Sequence, residues 1–245
     1  IGTRDRPTRL QGPYDVVVIG SGMSGLTAAA LLSQAGKKVL VLEQHHTAGG
    51  FTHAYDRNGY EWDVGVHYIG DMGANTVGRQ VMDRISGNRL QWAAMDACYD
   101  RGFFGEETFD FVAGKRNFIE RLEQRFPAEK KAIAKYMQLL AKIGNAMQIS
   151  TLTKLVPPGV SGWLRPATDF ILPREMNQTT YEVLRNLTSN EELIAILCTQ
   201  WGDYGVPPRQ SSFLIHALVA RHYLFGGFYP VGGASQFAAT IIPTI

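Results

Sequence analysis

The chain has 245 residues, 45% of them hydrophobic and 19% charged, with a formal net charge of +2; this is enough apolar material for one large domain or two small ones. Lys and Arg are spread along the chain, which leaves no electrostatic footprint for nucleic acid, and no run of about 18 apolar residues marks a membrane-spanning helix. Cys98 and Cys198 form neither a CxxC pair nor a closely spaced framework, so a zinc site, a redox dithiol and a disulfide scaffold are all set aside.

The first ordered signal begins at Tyr14. Val16, Val17, Val18 and Ile19 form a β-branched run, which predicts a parallel strand covered on both faces. Gly20-Ser21-Gly22-Met23-Ser24-Gly25 then spells GxGxxG, an Ala-rich helix runs from Leu26 to Leu32, Gly36 stops it, and a second strand spans Lys38 to Leu42. This is a βαβ unit built for a dinucleotide. Gly20 permits the tight turn, Gly22 lets backbone approach a pyrophosphate, and Gly25 allows close packing of helix on strand. The phosphates would sit on the helix N-terminus, where amide N–H groups and the helix dipole favour negative charge. Ser21 and Ser24 lie inside the loop, where their hydroxyls read as phosphate ligands and not as nucleophiles. Glu43 ends the second strand 18 residues after Gly25, placed to accept hydrogen bonds from the ribose hydroxyls, with Gln44 beside it; a carboxylate there would repel a 2′-phosphate. The other reading of these glycines is a packing turn that binds nothing.

Gly49 and Gly50 precede FTHAYDRNGYEWDVG, which predicts two strands joined at Asn58-Gly59 and running into Gly65, where a plain NAD domain would continue with a helix. Ala97 to Val112 carries Phe103, Phe104, Phe109 and Phe111 around Gly105 and predicts a hairpin whose aromatics serve a core. From Pro127 onward, Ile133, Met137, Leu140, Ile143 and Met147 recur at helical spacing, forming a stripe that packs on its own domain or else faces a membrane surface. A Pro- and Gly-rich loop over 155–166 is followed by helices near 179–187, 190–201 and 210–224. The closing YPVGGASQFAATIIPTI reads as a strand end, a glycine turn and one helix. His216 and His222 point to different faces of one helix and cannot share a metal; no HExxH or GxSxG is present, and no metal site is expected.

Taken together, GxGxxG, Glu43, Gly49-Gly50 and a strand ending in Asp63-Val64-Gly65 resemble the N-terminal pattern of FAD-dependent oxidoreductases such as amine oxidases and phytoene desaturases. The stretches GGFTHAYDRNGYEWDVGVHYIG and GDYGVPPRQSSFLIHALVARHYLFGGFYPVGGASQFA narrow the resemblance to retinol saturases and the related carotenoid isomerases, from Tyr14 to Ile245. The resemblance implies an α/β fold in which a discontinuous Rossmann-like FAD-binding domain, 14–75 and 226–245, is interrupted by a mainly helical substrate domain, 76–225. It implies FAD as cofactor, bound by Gly20, Ser21, Gly22, Met23, Ser24, Gly25, Glu43, Gln44, Gly49, Gly50 and Gly65. The implied substrate is an apolar polyene, a retinoid or carotenoid, whose carbon–carbon double bond is saturated, desaturated or isomerised, as by an all-trans-retinol 13,14-reductase. Peripheral membrane contact would suit such a substrate. His67 and Tyr68 would lie near the flavin or the substrate mouth, the other reading of His67 being a hydrogen-bonded structural histidine. The resemblance also implies a natural protein about twice this length, in keeping with the trimmed opening IGTRDRP, so the chain alone is expected to be inactive. An amine oxidase-like flavoenzyme and a non-catalytic dinucleotide-binding module are the competing readings.

Overall fold

β1 (Val16–Ile19) lies parallel to β2 (Val39–Leu42), Val16 opposite Val39 and Ile19 opposite Leu42, and α1 (Met23–Gln34) crosses between them. In this computed structural model, which describes residues 12–154 and 173–245, the expected loop at 155–166 lies outside the described residues. Leu26, Ala29 and Ala30 of α1 are buried. β1 is not covered on both faces as its composition predicts: Val17 is 52% and Ile19 87% exposed. Among the described residues β1 pairs with β2 alone, and the alternation of a strand sends every second side chain away from α1.

The residues before Ala97 form one compact unit with Gly227–Ile245, and Ala97–Gly226 form another. The division falls about twenty residues later than 75/76, because residues 76–96 are held by the first unit. Thr76 caps α2 (Val77–Ser86), its Oγ1 accepting from the Arg79 N–H at 3.3 Å, and Ile85 shares a buried cluster with Leu26, Ala30, Ala238 and Ile241. β5 (Trp92–Ala94) then pairs antiparallel with β8 (Phe228–Pro230), which also ties in the C-terminal helix Gln236–Ile241. In the same unit β3 (Ala54–Arg57) and β4 (Tyr60–Asp63) form the predicted hairpin. Asn58 (φ 55°) and Gly59 (φ 79°) both adopt the left-handed conformation that a tight two-residue hairpin turn requires.

The second unit opens with the hairpin of β6 (Cys98–Phe104) and β7 (Glu107–Val112). Phe109 and Phe111 enter its core with Phe118 and Tyr99, whereas Phe103 is exposed on the other face. α3 (Lys115–Arg125) leads through a short 3-10 turn at Pro127–Glu129 into α4 (Lys130–Lys154). The stripe of Ile133, Met137, Leu140 and Ile143 is buried against this unit's own helices, so it is not free to face a lipid surface. Those helices, Thr180–Leu187, Glu191–Leu197 and Phe213–Tyr223, start at Thr179, Asn190 and Ser212, whose side chains accept first-turn N–H bonds. The predicted 190–201 helix stops at Leu197 and gives way to a 3-10 segment, Thr199–Tyr204, that ends at Gly205 in the left-handed conformation. Among the described residues no helix is long and apolar enough to cross a membrane.

Candidate dinucleotide-binding site

The three glycines of the loop have the separate geometric reasons expected of them. Gly20 has φ 91°, a conformation that side chains strain to adopt. A Cβ at Gly25 would collide with the Gly20 carbonyl oxygen; glycine there is what lets α1 approach β1. Gly22 is different, because its φ is −65° and a Cβ built on it would meet no atom within 4 Å. The chain's own packing gives no reason for glycine at this position. An open cradle lies there instead, at the N-cap of a twelve-residue helix that has no side-chain cap and no acidic residue in its first turn. Its free amide N–H groups suit an anion.

Beneath this loop one side chain gathers the surrounding segments. Glu43, just past β2, accepts from the Ser21 N–H at 2.7 Å and the Ser21 hydroxyl at 2.5 Å, both on Oε2, and from the His45 N–H at 2.8 Å on Oε1. The Ser21 hydroxyl and the backbone N–H groups of His45, Ser21 and Gln44 pull the carboxyl down to about 2, because each bond favours the charged form. Glu43 is therefore an anion throughout the physiological range. The Gly49 N–H in turn reaches the Ser21 carbonyl at 3.1 Å and the Ser21 hydroxyl at 3.2 Å. Gly49 (φ 116°) and Gly50 (φ 57°) make a turn that only glycine enters freely, and a Cβ on Gly50 would stand 2.9 Å from the Gly22 Cα. Ser21, Gly22, Glu43, Gly49 and Gly50 are thus brought together as the sequence predicts.

The remaining predicted residues behave otherwise. The Ser21 hydroxyl, expected on the phosphates, is turned toward the chain's own groups: it donates to Glu43 and accepts from Gly49. Met23 packs against the buried cluster of Leu26 and Ile85, Ser24 is exposed on the first turn of α1, and Gln44 is exposed beyond Glu43. Gly65 answers to the chain itself: a Cβ there would lie 2.9 Å from that of Phe51, and its N–H donates to the Phe51 carbonyl at 3.1 Å. His67 is exposed, its ring edge-on to Tyr68 with centroids 5.2 Å apart, and Tyr68 lies against Gly227, where a Cβ would come within 2.9 Å of its ring.

Features that residue patterns do not announce surround this core. The His45 ring lies tilted against those of His46 (centroids 4.1 Å apart) and His53 (4.7 Å), and the His53 Nδ1 is 2.5 Å from the Gly50 carbonyl; the doublet His45-His46 is the one sign of this in the sequence. Asp63 accepts from the Ala234 N–H at 3.3 Å, joining the hairpin to the C-terminal segment. The buried Trp92 Nε1 has no hydrogen-bond acceptor among the described residues. In the second unit, His216 lies buried with Nε2 3.0 Å from the Tyr136 hydroxyl and Nδ1 3.4 Å from that of Tyr204. No group of three or more His, Cys, Asp or Glu able to hold a metal occurs among the described residues.

Residues 18–85 match the family described as an NAD(P)-binding Rossmann-like domain. Over 97% of its length the chain is 40% identical to all-trans-retinol 13,14-reductase of Macaca fascicularis, of which it covers 40%. It is 33% identical over 94% of its length to a Danio rerio protein named inactive all-trans-retinol 13,14-reductase, covering 39% of it, and 28% identical over 93% to chloroplastic prolycopene isomerase of Daucus carota, covering 38%. The chain thus spans about 40% of the length of these relatives, and the resemblance read from its motifs is borne out. Among solved structures, cyclohexylamine oxidase from Brevibacterium oxydans superposes over 94% of this chain and 49% of its own with a TM-score of 0.57 at 18% identity, a likeness of fold.

Proposed function

We propose that this chain is the N-terminal part of an FAD-dependent oxidoreductase acting on a carbon–carbon double bond of an apolar polyene, a retinoid or a carotenoid. The observation that carries the reading is the 40% identity to a retinol 13,14-reductase running through both compact units, with the 28% identity to a prolycopene isomerase extending the substrate class to carotenoids. The site fits the cofactor: an open cradle at Gly22, an uncapped helix N-terminus and an ionised Glu43 are complementary to a pyrophosphate and an unphosphorylated ribose. When bound, FAD supplies hydride transfer to or from the double bond.

The chain's own residues have the tasks of binding and orientation. Gly20, Gly22, Gly25 and the first turn of α1 receive the phosphates, Glu43 faces the ribose, and Gly49-Gly50 close the turn against Gly22. We assign His67, exposed beside Tyr68, and Tyr68 itself to the flavin or substrate mouth. The second unit, with the Phe109–Phe111–Phe118 core under its hairpin, serves as the substrate-holding module.

The test is to purify the full-length protein and record its visible spectrum, the cofactor released on denaturation, and the products formed from retinol and from prolycopene. A flavin spectrum with released FAD and a saturated or isomerised polyene is expected. Colourless protein that fails to take up added FAD would overturn the reading. A second reading, a flavin-loaded but inactive protein, is favoured by the relative named inactive; bound FAD with no polyene turned over would select it.

A further inference from the structure

Every polar group of Ser21 that this site uses points inward, away from the cradle at Gly22. Its N–H and its hydroxyl both donate to Glu43 Oε2, and its hydroxyl and carbonyl oxygens both accept the Gly49 N–H. The residue is 2% exposed, although it stands in the middle of a loop whose neighbours on both sides are open to a ligand. Three segments distant in sequence, the phosphate loop, the end of β2 and the paired-glycine turn, meet at this one side chain. Glu43 in turn gathers the Ser21 N–H and hydroxyl on Oε2 and the His45 N–H on Oε1, with the Gln44 N–H also bonded to its carboxylate; of these donors the Ser21 hydroxyl alone is a side chain.

We infer that Ser21 is the positioning residue of the dinucleotide site: it holds the Glu43 carboxylate in place beneath the loop, where it faces the ribose, and it makes no contact with phosphate itself. The inference rests on the proposed FAD site and specifies how that site is organised. It also separates the two serines of the loop, since Ser24, exposed on the first turn of α1, keeps its hydroxyl outward.

The test is a double-mutant cycle on FAD affinity, read by fluorescence quenching with the full-length protein, using Ser21→Ala, Glu43→Gln and the pair. Ser21→Ala alone should weaken FAD binding about tenfold, the effect of a lost hydrogen bond to a charged group, and should have no further effect once Glu43 is Gln. Independent losses that multiply in the double variant would show that the hydroxyl touches the cofactor directly and would overturn the inference. A pH series supplies a readout that loop packing alone does not move. The groups facing Glu43 are Ser21, Gln44 and His45, with the rings of His46 and His53 against that of His45; all but Ser21 are common to parent and variant. In Ser21→Ala the carboxyl loses its strongest stabilising bond and rises toward the ordinary carboxylate range, so FAD affinity should begin to fall at a higher pH than in the parent. Coincident pH profiles would also overturn the inference. A parent protein that binds no FAD would instead remove the proposed function, and apo-protein melting would still report whether Ser21→Ala loosens the loop.

Discussion

Lowering the pH tests the buried polar chain of the second unit. His216 is 3% exposed and lies among Tyr136, Tyr204 and Phe213; burial pushes its imidazole down to about 4 from the ordinary 6.5, because the charged ring would sit in an apolar surround. A base whose folded value is depressed contributes stability in full above the unfolded value, and that contribution is lost as pH falls toward the folded one. The difference of about 2.5 units at 1.36 kcal/mol each gives about 3 kcal/mol lost between pH 6.5 and 4. The assay is the urea midpoint at pH 7, 6, 5 and 4 for the parent and for His216→Phe. The variant should be less stable at neutral pH, since the fully buried Tyr136 hydroxyl loses its partner at about 1–3 kcal/mol, yet it should fall less steeply with acid. Parallel pH dependences would refute the reasoning, for they would mean that His216 takes up no proton on unfolding.

Three further outcomes follow from the dinucleotide site. Gly22→Ala should keep the melting temperature while lowering FAD affinity, because its Cβ meets nothing in the chain, whereas Gly25→Ala should lose about 1–3 kcal/mol of stability or more from overpacking against the Gly20 carbonyl and melt at a lower temperature; equal melting losses in a thermal scan would contradict this. Glu43→Arg should weaken FAD binding by titration far more than Gln44→Arg, since Glu43 is held by three hydrogen bonds at the loop and Gln44 is exposed; equal affinities would show that Glu43 does not face the ribose. His67→Phe should keep FAD content and slow polyene turnover; turnover equal to the parent's would remove His67 from the substrate mouth.

Most of the first unit's local structure was legible because the signals are steric and short-range. Gly20, Gly25, Gly49, Gly50 and the Asn58-Gly59 turn each answer to a backbone conformation or a clash that a few neighbouring residues decide, and the βαβ spacing that puts Glu43 beside the loop follows from strand and helix lengths. The starts of the second unit's helices were legible from the turn residues between them, whereas the end of the one begun at Asn190 was set at Leu197 by the 3-10 segment that follows. Three things were decided only in three dimensions. The unit boundary moved to Asp96 because Ile85 and Trp92 find their partners more than a hundred residues away, in the C-terminal segment. The need for glycine at Gly65 comes from its close approach to Phe51, which no residue pattern announces. Ser21, read from its motif as a phosphate ligand, was turned inward, since a hydroxyl in a crowded loop goes to the strongest acceptor within reach, and the Glu43 carboxylate that accepts it arrives from a strand whose position only the folded sheet determines.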